Sequence, residues 1–160
     1  MFGKKRLAEI AAVSFVLAVS ICIIIYNFAF AELQSEAPSG TFLFIALWVC
    51  AVTVAYLLMS RFVLAFAAVY FCVTLVSAAM SILINVFSVS YSIALSFIVA
   101  PTAAFLGVYA IIPAQYTVAV SSAAVSAAFC LLSFVLIRGI AKKEAATAIL
   151  RGYAVTKAGK

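Results

Sequence analysis

The side chains able to carry chemistry in this sequence are few and scattered. There is no histidine, which removes imidazole-ligated haem, histidine-ligated zinc and the commonest general base. Four cysteines stand at Cys22, Cys50, Cys72 and Cys130. Each lies inside an apolar run and none forms a C-x-x-C pair, so small hydrophobic packing is expected of them rather than a disulfide framework or a metal site. The acids are Glu9, Glu32, Glu36 and Glu144. Only Glu9 touches an apolar run, at its start, so no mid-membrane carboxylate pair is in view for a proton relay or a cation. Serines are plentiful but no base accompanies them, and there is no P-loop and no H-E-x-x-H. No catalytic residue, cofactor site or metal ligand is expected, and the chain reads as a non-enzyme.

What the residues do carry is a packing pattern. In VAVSSAAVSAAFC (118–130), Ala119, Ala123 and Ala127 recur four apart, as do Ser122, Ser126 and Cys130. Both rows follow helix faces made of small side chains. Such faces let two backbones approach closely, held by dispersion and hydroxyl hydrogen bonds. Another helix of this chain is the expected neighbour, with a second copy or another membrane protein as alternatives. Pro101 and Gly107 mark a kink or hinge, since Pro101 deletes one backbone hydrogen bond and clashes with the carbonyl of Phe97. Arg61 is the only charge between Glu36 and Arg138. It stands where two apolar runs meet, so an interfacial, snorkelling arginine is expected.

The elements that position these residues must be helices in lipid. Hydrophobic residues make up 69% of the chain and charged residues 9%, with mean hydropathy +1.36. A soluble domain carries roughly half apolar and about a quarter charged residues. The expected fold is an all-α, polytopic integral membrane bundle. It comprises one membrane-embedded domain over 1–138 and a short basic tail over 139–160. About five hydrophobic helices are expected, at 7–30, 41–60, 62–84, 92–112 and 118–138, with the fourth kinked at Pro101 or re-entrant. The first run is read as a retained helix, because its 24 residues exceed the ~7–15 of a signal-peptide core.

Two arguments disagree on the number of crossings. Between Arg61 and Arg138 lie 76 residues, and at roughly 20 residues per span three helices fill them, making five in all. Charge asks for an even number. Lys4, Lys5 and Arg6, then Arg61, then the basic tail all belong on the cytoplasmic side by the positive-inside rule. Length is the firmer constraint, so five crossings are expected. The N-terminus is placed in the cytoplasm, loop 31–40 outside, and the whole in an inner (plasma) membrane.

The net charge of +6 is read as topogenic, meeting anionic headgroups rather than nucleic acid. Lipid bilayer and other membrane proteins, or further copies of the chain, are the expected partners. Function is expected to be non-enzymatic, through helix–helix contacts, as an accessory subunit or an exclusion or immunity-type factor. A small oligomeric transporter or channel is the alternative.

Overall fold

The computed structural model describes residues 2–32, 39–87, 100–109, 111–112 and 116–158, and these contain helices and turns without a strand. The helices are α1 (Phe2–Glu32), α2 (Ser39–Leu57), α3 (Arg61–Val86), a 3-10 turn (Ala100–Phe105), α4 (Leu106–Tyr109) and α5 (Thr117–Ala158). Among the described residues, four helices are long and apolar enough to cross a membrane: α1, α2, α3 and α5. Without water to solvate them, backbone N–H and C=O groups must pair within the segment, which a helix achieves by itself. Together these features make an all-α, membrane-type helical bundle.

The turn from α2 to α3 shows how tightly two such helices can be joined. Ser60 N–H donates to Ala55 O at 2.8 Å and Met59 N–H to Tyr56 O at 3.0 Å. That pattern closes a helix with a left-handed residue, and Met59 holds φ 51° where glycine is usual. Ser60 then caps α3, its Oγ accepting from Val63 N–H at 3.4 Å. A serine three residues ahead of the N–H that donates to it is a favoured N-cap arrangement.

Contacts order the helices along the bundle. At the first end, Ser60 Oγ donates to Glu9 at 2.8 Å, Arg61 pairs with Glu144, and Lys143 Nζ donates to Tyr56 Oη at 3.0 Å. At the second end, Asn27 of α1 and Thr41 of α2 both donate to the 3-10 turn. Cys72 and Cys130 meet part-way along α3 and α5. Hence α1 and α2 are antiparallel, as are α3 and α5. Helix α3 delivers the chain to the second end and α5 leaves from that same end.

Of the fourth expected helix, 92–112, the described part is a 3-10 turn followed by a single α-turn; residues 92–99 and 110 lie outside the described residues. This irregular backbone beside Pro101 agrees with the expected kinked or re-entrant segment. Within the interval between Arg61 and Arg138, α3 runs to Val86 and α5 begins at Thr117, as close to the expected bounds as helix ends usually fall. One expectation is corrected: the last helix does not stop at Arg138-Gly139. It continues through both, because Ile140 is fully buried in the core and outweighs the ~1 kcal/mol propensity cost of a helical glycine.

The core is aromatic. Trp48 stacks on Tyr70 with centroids 4.7 Å apart, Phe71 stacks on Phe129 at 4.5 Å, and Phe105 of the 3-10 turn meets Phe44 edge-on at 5.5 Å. Offset-stacked and edge-on pairs of this kind contribute about 0.5–1.5 kcal/mol beyond area burial.

Candidate functional site

The most distinctive polar feature lies at the second end, where the 3-10 turn is inserted among the long helices. Thr102, Ala103, Ala104 and Phe105 are buried there. Pro101 sits in the first turn, where the missing N–H is no loss. Gly107 falls within α4.

A turn buried among helices has carbonyls cut off from water, and such groups need partners within the protein. Three side-chain hydrogen bonds supply them. Asn27 Nδ2 donates to Ala103 O at 3.2 Å and to Ala104 O at 3.0 Å. Thr41 Oγ1 donates to Ala104 O at 2.8 Å. Asn27 is itself buried, and its Oδ1 has no partner.

Gly40 makes room for this clamp. A β-carbon at Gly40 would overlap Asn27 Oδ1 and lie 2.9 Å from its Cγ and 3.2 Å from Tyr26 Cδ1. The clamp is therefore a three-part unit of Asn27, Gly40 and Thr41, converging from α1 and α2 on the broken segment.

By sequence, Asn27 stands near the end of its apolar run and reads as interfacial, and Gly40 with Pro38 reads as a loop breaker. The signal for a buried role is the amide itself: Asn27 is the one asparagine within the first apolar run, and polar groups at such positions are expensive unless bonded. Asn85, Gln34 and Gln115 read as interfacial or loop residues too; Asn85 falls in α3, and Gln34 and Gln115 lie outside the described residues.

The small-residue face of α5 turns inward. Ala119, Ser122, Ser126 and Cys130 are buried, while Ala123 and Ala127 are half-buried at its edge. Ser122 and Ser126 are fully enclosed. The face meets α3: Cys72 and Cys130 Sγ atoms lie 3.2 Å apart, with Cys130 Sγ also 3.9 Å from Ala68 O. Hydroxyls of Ser122, Ser126 and Ser133 have no hydrogen-bond partner, so dispersion rather than hydrogen bonding holds this seam.

No protein-family model, curated protein or solved structure matches this chain. The geometry therefore speaks alone. Every buried polar side chain among the described residues is a neutral hydroxyl or amide, and no cluster of three potential metal ligands occurs among them. Ionic groups gather instead at the first end, where Arg61 is about half exposed and pairs with Glu144.

Proposed function

We propose that this protein is a non-enzymatic membrane protein that acts by contact with other membrane proteins, as an accessory subunit or as an exclusion or immunity-type factor. The supporting observation is the neutrality of the interior. Transport coupled to protons or cations uses buried carboxylates or other charges inside the membrane, whereas here the described buried polar groups are hydroxyls and one amide. What the bundle offers a partner is its apolar outer surface, including Val69, Val73 and Val76 along α3 and Leu131, Phe134 and Val135 along α5. We place the first end, with Lys4, Lys5, Arg6, Arg61 and Lys143, on the cytoplasmic side of an inner membrane by the positive-inside rule.

A second reading has one observation in its favour. Discontinuous helices form the substrate sites of some transporters, and the 3-10 turn at Ala100–Phe105 offers irregular backbone of that kind. Several copies would then enclose a path.

Two measurements separate the readings. Purified protein in liposomes is assayed for ion and solute flux, and photo-crosslinking residues at Val73 and Phe134 are irradiated in native membranes. The contact reading expects flux no greater than in empty vesicles, together with discrete adducts to another membrane protein. Substantial flux through the reconstituted chain alone would overturn it.

A further inference from the structure

We infer that the first end of the bundle holds one anionic phospholipid, with an acyl chain in the cleft between α1 and α2 and the phosphate against Lys5 and Arg6. Two adjoining hollows support this. The first is an apolar cleft of about 450 Å³, walled by Ala12, Phe15, Ala51 and Val54 and bounded at its mouth by Lys5 and Glu9. That volume falls within the roughly 300–1,000 Å³ of ligand-sized sites. The second, of about 530 Å³, shares Lys5 and Glu9 and adds Arg6, Arg61 and Glu144. A greasy slot that opens onto a charged pocket matches an amphiphile with its polar group at the membrane surface.

Charge bookkeeping selects the headgroup. Arg61 is paired with Glu144, whereas Glu9 keeps its negative charge, since Ser60, which donates to it, is neutral. Among the described residues, Lys5 and Arg6 have no carboxylate within ion-pair distance. Lys5, Arg6 and Arg61 against Glu9 and Glu144 leave the polar hollow with a positive excess, and a singly charged phosphodiester without a compensating amine complements it. Phosphatidylglycerol has that chemistry, whereas phosphatidylcholine carries its own cation. The occupant proposed is thus a phosphatidylglycerol-type lipid. The site is independent of the contact reading above, since it would serve any activity of the bundle.

The test is native mass spectrometry of the full chain in a neutral detergent. Phosphatidylglycerol and phosphatidylcholine of matched acyl chains are titrated, and thermal midpoints are measured in parallel. A one-to-one phosphatidylglycerol adduct that survives collisional removal of detergent, and a raised midpoint, are expected. Phosphatidylcholine should give neither. Lys5→Gln and Arg6→Gln should each weaken retention about fivefold, the equivalent of ~1 kcal/mol per basic residue at an anionic surface. Lys142→Gln, which removes an exposed lysine outside both hollows, should change nothing. Ala12→Phe should abolish the adduct by filling the cleft with both cations intact; Ala8→Phe provides a second plug if the first variant is poorly behaved. Equal retention of the two lipids, equal losses from Lys142→Gln and Lys5→Gln, or full retention in both plugged variants would each overturn the proposal.

Discussion

Gly40→Ala should destabilise the native protein yet be tolerated once Asn27 is shortened to alanine. In an open helix the glycine-to-alanine change gains roughly 0.5–1 kcal/mol. Here the new methyl would overlap Asn27 Oδ1 and approach its Cγ to 2.9 Å. Asn27 must then move, straining bonds of 3.2 and 3.0 Å to Ala103 O and Ala104 O. Interhelical hydrogen bonds in membranes average about 0.6 kcal/mol and reach about 1.7, and overpacking costs about 1–3 kcal/mol. The net loss expected for Gly40→Ala is therefore about 1–3 kcal/mol. Asn27→Ala alone should cost ~1–2 kcal/mol, since Ala104 O keeps Thr41 and only Ala103 O loses its side-chain donor. In the double variant the clash with Asn27 is gone. Only Tyr26, 3.2 Å away, opposes the propensity gain, so Gly40→Ala should be close to neutral there. The assay is detergent-titrated unfolding in mixed micelles, followed by fluorescence of Trp48, the single tryptophan, which is buried and stacked on Tyr70. Additivity of the two changes within about 0.5 kcal/mol, the usual behaviour of independent sites, would refute the clamp.

Copper-catalysed oxidation should link Cys72 to Cys130 within one chain, given sulfurs 3.2 Å apart, and should leave the protein monomeric on a denaturing gel; a Cys130-linked dimer would place α5 at an interface between copies instead. Ser126→Leu should lose about 1–3 kcal/mol by overpacking in the same unfolding assay. Ser126→Ala should be neutral or slightly stabilising because the hydroxyl has no partner, and Leu132→Ala mild because Leu132 faces outward. Met59→Gly should stabilise by ~1 kcal/mol, relieving a left-handed backbone that L-residues adopt at about 1–2 kcal/mol cost; no change in the unfolding midpoint would contradict that turn geometry. Arg61→Ala should cost under about 1 kcal/mol, the range of exposed ion pairs, and a larger loss would mean that Arg61 supports more than its pair with Glu144.

Composition and apolar run length determined the class of this protein. With 69% hydrophobic residues, burial in lipid and helical pairing of the backbone follow from solvation alone; α1, α2 and α3 lie close to their expected ranges, and α5 starts where expected but runs on to Ala158. The four-residue recurrence of small side chains over 118–130 likewise marks a face that packs inward, and Arg61 between two runs marks the junction of α2 and α3. These are local signals, because helix periodicity and side-chain size need no knowledge of distant segments. Charge distribution favours an even number of crossings and segment length an odd one, because the two signals rest on different physics: the sidedness of basic residues and the thickness of the hydrocarbon core. Tertiary packing decided what local signals left open. Ile140 carries α5 past Gly139 because a buried contact outweighs helix propensity. The stretch around Pro101 is a short turn because Asn27 and Thr41, more than sixty residues away in sequence, supply donors for carbonyls cut off from water. Which helix the small face of α5 meets, and why Gly40 must be glycine, depend on neighbours that only the assembled bundle brings within reach.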